Sequence, residues 1–224
     1  CITMEKKDLQ TLRHSASHVM AQAVKRLYPD CKLAIGPAID NGFYYDFDSP
    51  VPFTSEDLEK IEAEMKKIVK ENLKIKRFEL PRDEAVALME KRGEPYKIEL
   101  IADIPEGEPI SFYEQGEYID LCAGPHIAYT SGVKAYKLLS VTGAYWRGNE
   151  KNKMLQRIYG TAFATKDELN AYLEQMEEAK KRDHNKLGRE LEFFTTVDVI
   201  GQGLPILLPK GARVIQILQR WVED

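Results

Sequence analysis

Between Leu9 and Leu27, apolar residues recur at Leu9, Leu12, Ala16, Val19, Met20, Ala23 and Leu27, the i, i+3, i+4 spacing of an amphipathic α-helix. At 3.6 residues per turn these positions form one stripe, and the helix must bury that stripe to be stable. His14 and His18, four residues apart, share the opposite face with Ser17, Ala21 and Lys25. The two imidazoles therefore look away from the helix's own core stripe, over small neighbours that leave room for an approaching group. A histidine pair at this spacing is commonly just a solvated helix face. A second stretch changes the reading: Cys122-Ala123-Gly124-Pro125-His126 adds a thiol and a third of the chain's 4 histidines. His14, His18, Cys122 and His126 together are ligand types that zinc accepts, and equally types that handle protons and water near neutral pH.

The rest of the chain reads as alternating strands and helices. Leu33–Gly42 reads as a strand running into an Asn41-Gly42 turn, both residues tolerating positive φ. Phe43–Asp48 returns with Phe43, Tyr45 and Phe47 on one face and Tyr44, Asp46 and Asp48 on the other. Thr54 caps a helix with acids in its first turn and a stripe of Leu58, Ile61, Met65, Ile68 and Val69. A strand near 75–80 and a short helix near 83–92, ended by Gly93, follow. Tyr96–Ile101 alternates as a strand, with Lys97 a solvated strand lysine on pattern alone. Tyr118–Cys122 is a strand that puts Asp120 on the same face as Cys122, and Gly124-Pro125 turns the chain so that His126 returns beside it. On the bland reading, Cys122 is a small buried hydrophobe and Asp120 a strand-end acceptor.

Strands at 133–141 and 154–163 flank Gly143–Gly148. There Arg147, Lys151, Lys153 and Arg157, with Tyr145 and Trp146, suit either an RNA-facing surface or an ordinary charged loop. Thr165-Lys166-Asp167-Glu168 is a capping box that opens a helix to about Arg189. The basic second half of that helix fits an RNA backbone, and His184, lacking a partner motif, reads as surface. From Gly201 a new unit begins, strand-like at Ile206–Leu208 and helical from Ala212. It ends at Asp224 without completing a domain, so the chain reads as a piece of a longer protein.

Composition narrows the class. No apolar run approaches the roughly 20 residues a membrane helix needs. The N-terminus lacks an apolar signal core. The 3 cysteines, at 1, 31 and 122, do not suggest a disulfide framework, so the expected home is a reducing cytoplasm, with no membrane partner. The net charge of −4 argues against a general nucleic-acid coat but leaves room for a local RNA contact.

Five segments together resemble bacterial-type threonyl-tRNA synthetases: Arg13–His18, the Ala34–Pro37/Asn41–Asp46 hairpin, Tyr118–His126, Gly143–Gly148 and Met154–Ala162. The resemblance runs in order from about residue 8 to the end. Its paired-histidine and Cys/His part is shared with alanyl-tRNA synthetase editing domains. It implies an α+β fold, an antiparallel sheet packed with helices. The implied domains are an editing domain at 1–164, a linker helix at 165–190 and the opening of a class II aminoacylation domain at 191–224. The implied activity is hydrolysis of mischarged seryl-tRNA(Thr), the partner being tRNA(Thr) with its 3′-terminal seryl-adenosine. By the same resemblance the catalytic set is His14, His18, Lys97, Asp120, Cys122 and His126, with Gly36 and Tyr45 as substrate contacts. Lys97 and one histidine, His14 first, are expected to position water or move a proton. Asp120 is expected to bind the seryl amino group or orient a partner.

No cofactor is expected for editing, although Zn2+ at His14/His18/Cys122/His126 is the sharp alternative, since the alanyl relatives resemble that arrangement. ATP and a second Zn2+ would belong to the absent aminoacylation domain, as would the contacts of a homodimeric parent enzyme, so this chain is not expected to charge tRNA. The competing readings are a non-catalytic, zinc-stabilised tRNA-binding module and a free-standing alanyl-type deacylase.

Overall fold

The computed structural model describes residues 6–197, 199–201 and 203–223. Cys1, the Gln202 of the 201–205 loop and Asp224 lie outside the described residues. The fold is α+β and divides into two compact units, 1–169 and 170–224.

The first unit is built around helix α1, Lys6–Leu27. Strands β1 (Lys32–Leu33), β2 (Ala38–Ile39) and β3 (Gly42–Asp48) follow it, then helix α2 (Ser55–Glu71). Strand β4 (Lys76–Leu80), helices α3 (Arg82–Arg92) and α4 (Pro95–Asp103), and strands β5 (Ile110–Gln115) and β6 (Tyr118–Leu121) come next. Two long strands, β7 (Ala135–Tyr145) and β8 (Met154–Phe163), close the unit. The larger sheet runs β1-β3-β8-β7 with β2 also on β3, and the smaller runs β4-β5-β6. Every pairing is antiparallel.

The alternation in β3 does what its pattern predicts. Phe43, Tyr45 and Phe47 are fully buried. They pack with Leu12, Ala16, Val19, Met20 and Ala23 of α1 and with Ile61, Met65 and Ile68 of α2. Each such side chain contributes about 1.5–3 kcal/mol of burial. The Thr54 cap forms a capping box with Asp57, and Gly93 ends α3 at φ +69°.

Three local expectations are overturned. First, Tyr96–Ile101 is not a strand but part of α4. Pro95 occupies its first turn, where a missing N–H costs nothing, and six residues are too few for the alternation to exclude a helix. Second, the hairpin turn is Asp40-Asn41 rather than Asn41-Gly42, and Gly42 belongs to β3. Gly42 is needed for close approach: a Cβ there would lie 2.2 Å from the Gly160 carbonyl of β8. Third, the expected strand from Leu33 to Gly42 is two short bridges, β1 and β2, separated by the open segment 34–37. His14 and His18 lie on the face away from the core stripe, His14 half-buried and His18 buried. The smaller sheet lies over that face, and His18 is 2% exposed with its ring edge-on to Tyr118. Strand β5 had no counterpart in the sequence pattern.

Beyond β8, the helix expected to run to Arg189 is two. Helix α5 (Lys166–Lys181) opens with the Thr165/Glu168 capping box, and α6 (His184–Glu190) begins anew because Asp183 caps the Lys186 N–H. Strands β9 (Phe194–Thr196) and β10 (Pro205–Leu207) pair antiparallel. Helix α7 (Pro209–Glu223) starts three residues before the expected Ala212, with Pro209 at its opening. Among the described residues of 170–224, only Gly188 and Gly211 are buried.

Candidate active site

Asp120 is the anchor. Strand alternation in β6 turns it inward beside Tyr118, and both are 2% exposed. Its Oδ1 lies 2.5 Å from the Lys97 ammonium, which the first turn of α4 delivers. Its Oδ2 accepts the hydroxyls of Tyr45 at 2.7 Å and Tyr118 at 2.9 Å, and His18 Nε2 stands 3.6 Å away. Lys97 is itself 2% exposed. A buried carboxylate is costly unless it is paired and hydrogen-bonded, and here the two tyrosines donate to Oδ2 while Oδ1 faces the Lys97 charge without a hydrogen bond.

The histidines and the thiol form a second layer. Cys122 Sγ is 3.3 Å from both His14 Nε2 and His126 Nε2, and the Gly124 N–H donates to it at 3.2 Å. The His126 ring lies 4.3 Å from that of His14 and 4.1 Å from that of His18, with Tyr113 edge-on at 4.4 Å. Burial, first of all, lowers the pKa of each of the three imidazoles. Mutual repulsion and the Lys97 charge lower His18 further, and the other two histidines lower His126. Burial, then the Asp120 charge, pushes the Cys122 thiol up to about 12. At neutral pH the cluster is thus three neutral bases and an un-ionised thiol, so Cys122 is not poised as a nucleophile.

A cavity of about 310 Å³ opens on this cluster. His14, His18, Lys97, Asp120 and Cys122 line its polar side, and Ile35, Gly36, Pro37, Leu100 and Leu121 its apolar side. Its volume is in the range of small-molecule sites. Of the eight residues singled out in the sequence, six therefore reach the cavity. Tyr45 and His126 do not line it. Tyr45 is fully buried behind it, where its ring fills the space of a Gly36 side chain: a Cβ on Gly36 would lie 2.0 Å from Tyr45 Cδ2. The apolar wall and Tyr118 escaped sequence reasoning. Tyr118 was findable, two residues from Asp120 on one strand face. A second cavity of about 260 Å³, beside Lys25 and Arg26, holds no cluster of bases or nucleophiles, and both of those cations are already paired with carboxylates.

Three of the four cations of the basic patch, Arg147, Lys153 and Arg157, are held in ion pairs. Arg147 pairs with Asp103, Lys153 with Asp48 and Arg157 with Asp46, while Trp146 is buried and donates to Glu99.

The donor atoms of His14, His18, Cys122 and His126 all lie within 4.8 Å of one another. Buried His18 Nδ1 has no hydrogen-bond partner. Three nitrogens and a sulfur so placed fit the tetrahedral preference of zinc.

Comparison with known proteins points to the tRNA-synthetase accessory domains. Residues 110–159, which contain Asp120, Cys122 and His126, match the Threonyl and Alanyl tRNA synthetase second additional domain. Along its whole length the chain is related to the threonine--tRNA ligases. It is 65% identical over 224 residues to Threonine--tRNA ligase of Clostridium perfringens, covering 100% of this chain and 34% of that protein. It is 65% identical over 213 residues to that of Acetivibrio thermocellus, covering 95% and 33%. It is 66% identical over 212 residues to that of Clostridium tetani, covering 95% and 33%. The chain thus spans about a third of the length of these relatives.

Proposed function

We propose that this chain hydrolyses the ester of seryl-tRNA(Thr) at the 3′-terminal adenosine, proofreading for a threonyl-tRNA synthetase. The observation that carries the reading is the buried Lys97–Asp120 pair beside a cavity lined by neutral imidazoles. The need is physical. Serine is threonine less one methyl, which a binding pocket discriminates by only about 1–3 kcal/mol, so a second site must remove the error.

Ester hydrolysis requires a held water, a proton acceptor and a positive charge for the oxyanion. A neutral His14 on the cavity wall accepts the proton of water. The Lys97 ammonium, fixed by Asp120, donates to that water or to the developing oxyanion. Asp120 orients Lys97 and sets negative charge toward the seryl amino group. Tyr45 acts through Asp120 rather than on the substrate, while Gly36 presents bare backbone to the cavity. His14, His18, Cys122 and His126 are the residues that would hold zinc, which when bound supplies Lewis-acid polarisation of the ester carbonyl.

The reading extends to the organisation: an editing domain at 1–164, a linker at 165–190 and the beginning of a class II aminoacylation domain at 191–224. The longer protein would ligate threonine to tRNA(Thr) with ATP, as a cytoplasmic homodimer, and this chain would not.

Deacylation of seryl-tRNA(Thr) and threonyl-tRNA(Thr), each with and without chelator, tests the proposal. Loss of serine alone, unaffected by chelator, is the expected result, with His14→Ala and Lys97→Ala each slowing it about 100-fold or more. Chelator-sensitive hydrolysis would place zinc in the site. Binding of tRNA without hydrolysis would replace the enzyme by a binding module.

A further inference from the structure

Strand alternation in β3 buries Phe43, Tyr45 and Phe47 against α1 and α2, and so turns Tyr44 and Asp46 to the far face of the larger sheet. On β8, Tyr159 lies opposite Tyr44 and Arg157 opposite Asp46, which sets all four side chains on that face. Both tyrosines are half-buried, and Ser140 and Thr142, which continue the two rows on β7, are exposed.

Buried Asp46 takes the Arg157 guanidinium through two bonds, Nε to Oδ1 at 2.7 Å and Nη2 to Oδ2 at 2.8 Å. A bidentate fork fixes the plane of the guanidinium as well as its position. Its central carbon sits 3.9 Å from the centroid of the Tyr44 ring, and the Tyr159 ring stands 5.7 Å from that of Tyr44. The carboxylate takes one edge of the guanidinium and Tyr44 one face. The opposite face is left for a third flat partner, on a side chain that is 23% exposed. Because Asp46 offsets the charge, that face suits stacking better than anion binding. Guanidinium planes and aromatic rings are the surfaces on which unpaired RNA bases stack.

This surface adjoins the cavity beside Lys97 and Asp120. The segment 34–37 runs along the edge of β3: the Asp46 N–H donates to the Ile35 carbonyl at 2.8 Å and the Tyr44 N–H to the Pro37 carbonyl at 3.3 Å. Ile35 and Pro37 line the cavity. One strand spacing, about 4.8 Å, therefore separates the cavity wall from Tyr44. An RNA end whose last ribose is esterified in the cavity has its preceding nucleotide within reach of Arg157.

We propose that Arg157, held flat over Tyr44 by Asp46, is the stacking platform for the base of the nucleotide that precedes the terminal adenosine. The assignment rests on the hydrolytic reading above and extends that site by one unpaired nucleotide. Every base has a π-face, so the platform accepts any of them.

The test compares hydrolysis of seryl-adenosine with that of the seryl ester of the dinucleotide CpA by the full chain, and reads the ratio of the two kcat/KM values. Wild type should favour the dinucleotide about 10-fold or more, mostly through KM, the scale of one stacked base. An abasic nucleotide in place of the cytidine keeps the phosphate and should abolish the preference. A preference that survives loss of the base, or no preference at all, overturns the platform. These arms use wild-type protein alone, so they decide even where a variant disturbs the Asp46 pair. Arg157→Lys keeps a cation for Asp46 but loses the plane, and should bring the ratio close to one. An unchanged ratio in that variant, or an equal loss on both esters, overturns the role of Arg157. If wild type hydrolyses neither ester, the proposed function fails. Binding of unesterified CpA against its abasic analogue, followed through the backbone amide signals of Tyr44 and Arg157, then decides the platform: tighter binding of CpA supports it and equal binding overturns it.

Discussion

Asp120 and Lys97 are each 2% exposed, and their pairing illustrates how a buried charge is tolerated rather than what it contributes. Replacing Lys97 by Met leaves a buried carboxylate with two tyrosine donors and no cation. We expect a loss of about 3–5 kcal/mol, measured by urea denaturation; a change under about 1 kcal/mol would mean that the carboxylate is not held as a buried ion. Tyr118→Phe removes one neutral donor and should cost about 1–2 kcal/mol in the same measurement. The imidazoles make the domain acid-sensitive. His18 is buried neutral, its pKa lowered from 6.5, so the unfolded chain binds the proton first. Stability is therefore full above about pH 6.5. Below it, stability falls by up to about 1.4 kcal/mol per pH unit for each such histidine. Thermal melts between pH 7.5 and 5 should show this slope, and His18→Gln should flatten it. These residues were legible as chemical types in the sequence, whereas their burial was not. Lys97 read as a solvated lysine because nothing within its own segment reveals a carboxylate on another element.

Elements were legible where a period persists. The stripe of α1, the alternation of β3 and the capped start of α2 each repeat over several turns or pleats and match what folded. Tyr96–Ile101 is too short for that, and the placement of Pro95 in a first helical turn decided it. Glycines mark the points where elements touch, and that too depends on a partner. Gly42 lies under the Gly160 carbonyl and Gly36 under the Tyr45 ring. Gly42→Ala should force β3 from β8 at a cost of about 1–3 kcal/mol. Gly36→Ala should cost a similar amount and also displace the Tyr45 hydroxyl from Asp120. Urea midpoints with unchanged m-values would register both. A Gly36→Ala protein as stable as wild type would mean that the 34–37 segment yields freely.

At the scale of the molecule, no described helix is long and apolar enough to cross a membrane, and the chain separates into two units of different character. The first has hydrophobic clusters on α1, β3 and α2 and on α3, β5 and their neighbours. The second buries only two glycines among its described residues. We expect a fragment ending at Leu169 to unfold cooperatively and to keep the seryl-ester hydrolysis of the full chain; scanning calorimetry and deacylation of that fragment check both, and a molten fragment would refute the division. The sequence by itself determined the supply: which segments carry a helical or strand period, where helices are capped, and that two histidines, a thiol and a third histidine lie at helix and loop spacings. Only the tertiary structure decided the arrangement. It turned His18 inward against a second sheet, set Lys97 on a helix facing Asp120, and brought Ser15 to a histidine 111 residues away. The physical reason is that periodicity and capping are local properties of a chain. Burial, ion pairing and hydrogen-bond partners are fixed by groups far away in sequence.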